Sequence, residues 1–192
     1  MAMIDQKVVL ASTSPRRREL INLVFSQVEC IGSNCDETTN AHMTPQQVCT
    51  TLAKRKAWTV FKGEKQPCLT LGCDTVVDLN GKVLGKPKDE KEAFCMLQRL
   101  QGNTHKVHTG VCLINANGEE RVFCETSMVT FDPMSEDEMR RIIVQDQVLD
   151  KAGAYAIQGI SSTKVKKIEG EYYNVVGLPV GAICRAMKNW NE

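Results

Sequence analysis

The stretch Val8-Val9-Leu10-Ala11-Ser12-Thr13-Ser14-Pro15-Arg16-Arg17-Arg18-Glu19-Leu20 passes from an apolar run to a helix start within a few residues. Val8 to Ala11 reads as a short buried strand. Ser14 suits an N-cap and Pro15 the first helical position, so a helix is expected from there to about Val24. Its first turn carries three successive arginines. That is the wrong end of a helix for cations, because the macrodipole favours acids there by about 0.3–1 kcal/mol each. An anion at the helix start resolves the conflict, with amides, hydroxyls and guanidinium forks converging on phosphate oxygens. The competing reading is a solvated basic face. Successive helical residues point about 100° apart, so the three arginines cannot all face one ligand. The loop is not a P-loop, since the Gly-x-x-x-x-Gly-Lys spacing is absent.

The same alternation of helices and strands continues outward. Thr44-Pro45-Gln46-Gln47 is a capping box opening a helix to about Phe61, with Val48, Leu52, Ala57 and Val60 inward. Cys68–Gly72 and Thr75–Leu79 read as one interrupted strand, and Asn80-Gly81 as a type I′ hairpin turn leading to Val83 and Leu84. Asp89, with Glu92 three residues on, caps a helix whose inner face is Ala93, Met96, Leu97 and Leu100. A long hairpin follows, His105–Asn115 and Glu119–Phe131, turning at Asn117-Gly118. Ser135 and Glu138 form another capping box, for a helix ending near Gln145. Short strands are expected at Tyr155–Ile157, Lys164–Ile168 and Tyr172–Val176, and Pro179 begins a closing helix. The pattern is an α/β fold around a mixed, twisted sheet flanked by helices.

At 192 residues the chain is long enough for one domain with its own core. A net charge of +1 argues against nucleic-acid or membrane partners, so any basic site must be local. Met1–Gln6 is broken at Asp5 and offers no signal peptide, and no apolar run approaches the roughly 20 residues of a membrane helix. A soluble, cytoplasmic protein is expected. The nine cysteines are odd in number and show no C-x-x-C pair, so they read as reduced thiols serving as small apolar residues. A Cys–His pair using His42, His105 or His108 is the remaining alternative.

Several polar residues invite a chemical reading. Asp74 is flanked by Leu71-Gly72-Cys73 and Thr75-Val76-Val77, which demand burial, and a buried carboxylate is costly unless paired, metal-bound or hydrogen-bonded. Its plain reading is a turn residue at a strand break. Asp36-Glu37 offers further acids in a loop. Lys86 precedes Pro87, which holds its backbone extended, and Lys56 lies near the apolar face of its helix. Lys151-Ala152-Gly153-Ala154-Tyr155 is rich in small residues, which permit close approach of a ligand or simply ease packing. Gln158 can read a base edge through its amide.

Taken in order, Leu10–Arg17, Asp36-Glu37, Ala53–Ala57, Gly72–Thr75, Gly85-Lys86-Pro87, Thr109-Gly110-Val111, Lys151–Tyr155, Gln158-Gly159 and Val176–Pro179 resemble the Maf family of nucleotide pyrophosphatases. The likeness covers nearly the whole chain. It implies a single two-lobed domain of residues 1–192 with a central groove, similar to the inosine-triphosphate pyrophosphatases in fold and usually dimeric. It also implies hydrolysis of a nucleoside triphosphate to monophosphate and pyrophosphate with a divalent metal, Mg²⁺ or Mn²⁺. In that likeness Asp74 matches the proton acceptor, and Ser12, Arg17, Glu37, Lys56 and Lys86 match residues of the phosphate and metal region, with Glu37 and Asp74 as metal ligands. Arg16, Thr75 and Gln158 fall where the branch acting on dTTP and UTP is marked. Cys73 departs from the frequent alanine and puts a thiol beside Asp74 that could be oxidised. The rival readings are a pyrophosphatase for modified purine nucleotides such as 7-methyl-GTP, and a non-catalytic nucleotide-sensing regulator of septum formation.

Overall fold

The computed structural model describes residues 4–64, 68–188 and 190. In chain order the elements are β1 (Ile4–Leu10), α1 (Pro15–Ile21), β2 (Phe25–Cys30), α2 (Pro45–Gly63), β3 (Leu69–Leu79), β4 (Lys82–Leu84), α3 (Glu90–Leu100) and β5 (Thr104–Ile114). They continue with β6 (Glu120–Phe131), α4 (Glu136–Gln145), β7 (Val165–Glu169), α5 (Tyr172–Val176) and α6 (Val180–Lys188). Among the described residues no helix is long and apolar enough to cross a membrane.

The strands form one mixed sheet in the order β2-β1-β3-β5-β6-β7, with β4 pairing β3 separately. β1 lies parallel to β2 and β3; the pairs from β3 onward are antiparallel. β3 is the pivot. It pairs β5 continuously from Thr70 to Asp78, but its other edge is shared. Leu69–Leu71 pair β1, and Val77–Leu79 pair β4. Between those two partners the edge of β3 forks open at Gly72–Val76.

Side chains alternate across β3, as in any strand. Leu71, Cys73 and Val77 enter the main core with residues of α1, α3, α4 and α6. Gly72 and Val76 face the other side, where α2 packs. That packing needs glycine. A Cβ on Gly72 would stand 2.3 Å from the Ala53 carbonyl oxygen, and one on Gly110 would stand 2.4 Å from the Cys49 carbonyl. Backbone-to-backbone approach therefore seats α2 on β3 and β5, and its Ala53 and Ala57 pack with Cys112 and Ile114.

The caps behave as expected. Thr44 and Gln47 exchange side-chain and backbone hydrogen bonds, as do Ser135 and Glu138. Asp89 accepts from the Glu92 amide. Asn80 and Gly81 both take positive φ (56° and 80°), as a type I′ turn requires.

Four expectations are corrected. β3 runs unbroken through Asp74, because β5 pairs it without a shift and Lys56 neutralises the carboxylate. α1 ends at Ile21, not Val24; a tight turn then returns the chain so that Ile4 donates to the Val24 carbonyl and the unforeseen β2 pairs with β1. β2 is an edge strand with little apolar content buried, which is why it was invisible. Tyr155–Ile157 is not a strand: Tyr155 instead packs edge-on against His105 and Phe131. Tyr172–Val176 is a short helix despite its strand-favouring residues. The Asn174 amide is drawn inward to the Val107 carbonyl and Ser127 Oγ, a tertiary demand that outweighs local preference.

Candidate active site

A groove of about 740 Å³ opens at the fork in β3. Ser12, Arg16, Arg17, Glu37, Lys56, Asp74, Thr75, Lys86 and Gln158 all line it. Because the groove wraps the open edge of the strand, it draws on both faces of the sheet.

From the α2 face comes a nearly buried charge cluster. Lys56 Nζ stands 2.6 Å from Asp74 Oδ1 and 3.0 Å from Glu37 Oε1. Burial pulls the Lys56 ammonium toward neutrality, but the charge and hydrogen bond of Asp74 outweigh it, and its pKa is raised. Glu37 is exposed on its loop, so the ammonium bridges a buried carboxylate to a solvated one. Its neighbour Asp36 does not line the groove: it accepts from the Thr38 amide and hydroxyl and shapes the loop.

From the opposite face comes Arg17. Its Nε donates to the Gly177 carbonyl at 2.8 Å and its Nη2 to Thr75 Oγ1 at 3.0 Å. Thr75 Oγ1 lies 2.9 Å from Thr109 Oγ1, and Thr109 donates onward to the Asn174 carbonyl. A relay of buried and half-buried polar groups thus holds the guanidinium in place. Thr109 and Gly177 fall in segments that carry the family resemblance but are given no role by it, and Asn174 is not singled out, since a carbonyl supplied from a distant turn leaves no local signal.

The arginine turn is rearranged in detail. Ser14 occupies the N-cap position, yet its side chain makes no cap hydrogen bond; its amide donates instead to Ser12 Oγ at 3.2 Å. Arg16 Nη1 lies 3.9 Å from Asp150, a loose pair at the groove edge. Arg18 is exposed and does not line the groove. Lys86 and Gln158 are exposed side chains on its rim. Of the small-residue run, Lys151, Ala152 and Tyr155 line the groove, while Gly153 adopts φ +70° against Val77 and its amide donates to the Gly85 carbonyl, next to Lys86.

The cysteines are all free. Cys73 is fully buried on the main-core side and burial raises its pKa, so it is an inert thiol and not an oxidation-prone neighbour of the site. His105 is a core residue hydrogen-bonded to the Tyr155 hydroxyl, and His42 is exposed. None of the three histidines lines the groove.

A mixed sheet whose forked edge holds carboxylates, an arginine and lysines in one cleft defines an α/β protein built to handle a polyanion with acid–base chemistry at hand. The description Maf-like protein matches residues 7–190, and the chain belongs to that family. It is 43% identical over 188 residues to the dTTP/UTP pyrophosphatase of Bacillus velezensis, spanning 98% of both chains. It is 42% identical over 187 residues to the dTTP/UTP pyrophosphatase of Clostridium perfringens strain SM101, spanning 96% of this chain and 97% of the other. Among solved structures it is similar to the Ham1 protein of Staphylococcus aureus, with a TM-score of 0.49 and 17% identity over 66% of this chain and 72% of that one.

Proposed function

We propose that the groove hydrolyses dTTP and UTP to the monophosphate and pyrophosphate. The observation that carries this reading is the Lys56 ammonium held between Asp74 and Glu37, at 2.6 and 3.0 Å. It fixes a positive charge beside a buried carboxylate, in a cleft that also presents Arg17 and Lys86. The naming of full-length relatives as dTTP/UTP pyrophosphatases supports the substrate class.

In this mechanism Asp74 accepts a proton from, or orients, the water that attacks the α-phosphorus. Its Oδ1 is engaged by Lys56. Lys56, Arg17 and Lys86 stabilise the charge that gathers on the departing pyrophosphate. Ser12 and amides of the turn beyond it hold phosphate oxygens. Arg16, Thr75 and Gln158 would select a pyrimidine base carrying the O4 pattern of uracil or thymine. Thr75 acts there through Arg17, because its hydroxyl already accepts from that guanidinium.

The donor set also fits a divalent cation, Mg²⁺ or Mn²⁺. Asp74 and Glu37 meet at the Lys56 ammonium, which would have to withdraw from between them for an ion to enter, and among the described residues no group of three or more acidic, His or Cys side chains stands together. That suits an ion held by one or two carboxylates and completed by substrate phosphates. Glu37 and Asp74 would hold it, and its chemistry would be charge neutralisation at the phosphates. The reading further takes the enzyme to be cytoplasmic and a homodimer; sedimentation of the purified protein checks the second and fractionation of cells the first.

The deciding experiment is a panel of nucleoside triphosphates assayed with Mg²⁺ and Mn²⁺, scoring pyrophosphate separately from phosphate. Pyrophosphate release fastest on dTTP and UTP is expected. Release of single phosphates only would overturn the pyrophosphatase reading. Faster turnover of 7-methyl-GTP or ITP would overturn the pyrimidine preference, and nucleotide binding without turnover would favour a regulator.

A further inference from the structure

On the α2 face of the sheet, beside the groove but not lining it, two cysteines far apart in sequence meet. Cys49 Sγ lies 3.7 Å from Cys124 Sγ. They are brought together by the same packing that seats α2. Asp74, Gly110 and Cys124 form one rung across β3, β5 and β6, and Cys49 rests directly on Gly110. The two thiols therefore sit side by side, one on the helix and one on the third strand of the rung.

We propose that Cys49 and Cys124 are a redox modification site, closing to a reversible disulfide when the protein meets a peroxide. The sulfurs are already in contact at 3.7 Å and must close to about 2.05 Å to bond. Access and reactivity divide between the partners. Cys124 is half-buried, while Cys49 is fully buried. Contact with Cys49, aided by His108, lowers the Cys124 pKa, and contact with Cys124 together with burial raises that of Cys49. His108 is itself held between Thr126 at 2.8 Å and Asp78 at 3.2 Å. Cys124 is thus the attacking sulfur and Cys49 the resolving one.

The chemistry balances with hydrogen peroxide as oxidant. The Cys124 thiolate attacks one peroxide oxygen, the O–O bond breaks, and hydroxide leaves, giving a sulfenic acid. The Cys49 thiol then gives up its proton as its sulfur attacks the Cys124 sulfur. The S–O bond breaks and the oxygen departs as water. Two thiols and one peroxide become one disulfide and two waters, the sulfurs losing the two electrons that the peroxide gains. The bond would fasten α2 to β6 across a long chain loop, and a thiol reductant would release it. The site is independent of the reaction proposed for the groove, and its test requires no nucleotide.

The test uses the full-length native protein, reduced and then titrated with hydrogen peroxide. Remaining thiols are alkylated and the peptides mapped by mass. A peptide linking Cys49 to Cys124 is expected before any other cysteine pair forms. It should vanish on dithiothreitol treatment, and oxidation should raise the thermal midpoint by several degrees. With Cys49→Ser, Cys124 should instead be trapped by dimedone as the sulfenic acid; if that variant fails to fold, the wild-type map alone decides. Recovery of Cys49 and Cys124 as free thiols at peroxide levels that oxidise the exposed Cys95 would overturn the proposal. So would a sulfinic acid on Cys124 beside a free Cys49, or a cross-link that leaves the midpoint unchanged.

Discussion

Asp74 and Thr75 are successive residues of β3 that serve opposite faces of the sheet. Asp74 Oδ1 meets Lys56 Nζ at 2.6 Å on the α2 side, and Thr75 Oγ1 meets Arg17 Nη2 at 3.0 Å on the other. Because the edge of β3 is open between its pairings with β1 and β4, both faces reach the same groove. A strand at a fork can therefore place a proton-accepting carboxylate and an anchored guanidinium within one residue of each other.

Replacing Asp74 with Asn keeps the side-chain shape and removes the base. Pyrophosphate release should fall by roughly 10²–10⁴-fold while the protein stays folded by circular dichroism. Activity within tenfold of the wild type would remove Asp74 from the chemistry.

Replacing Lys56 with Met should destabilise the protein by about 3–5 kcal/mol, since it strands a buried carboxylate. Urea denaturation measures the loss. Adding Asp74→Asn should recover much of it, because the unpaired charge is gone; equal stability of the single and double variants would contradict this.

Gly110→Ala should be destabilising by about 1–3 kcal/mol or more, because the new methyl group meets the Cys49 backbone at 2.4 Å. The displaced helix carries Lys56, so activity should fall with stability. A neutral effect on both would show that α2 can shift without cost.

Thr75→Val removes an acceptor from Arg17 and leaves the volume nearly unchanged. The expected outcome is a kcat/KM for dTTP lowered about tenfold or more, the value of a hydrogen bond to a charged group. An unchanged kcat/KM would show that Arg17 is held without Thr75.

Burial lowers the His105 pKa from 6.5 to about 4. Between those values the unfolded chain binds the proton and the folded one does not, so stability falls as pH drops from about 6.5 toward 4. The full loss is on the order of 3 kcal/mol. His105→Gln should flatten the acid limb of denaturation curves relative to the wild type; identical limbs would refute the assignment.

Much of this molecule can be read locally. The capping residues Thr44, Asp89 and Ser135, the Asn80-Gly81 turn and the long β5–β6 hairpin all follow from short-range chemistry. A carboxylate amid apolar neighbours and arginines at a helix start are likewise anomalies visible in one dimension, whereas the assignment of Ser12, Glu37, Lys86, Thr75 and Gln158 came only with the family resemblance. β2, the unbroken path of β3 and the helical state of Tyr172–Val176 were not visible, since each depends on partners distant in the chain.

By itself the sequence determined the order and kinds of most elements, and which residues carry charge where charge is costly. Only the tertiary structure decided how that charge is compensated: Lys56 and Asp74 became an ion pair because Gly72 and Gly110 let α2 lie against the sheet. It also divided the arginine turn, tying Arg17 to Thr75 and Gly177, leaving Arg16 at the groove edge and turning Arg18 to solvent. Those outcomes depend on distances between elements that packing sets, and local preference along the chain does not contain them.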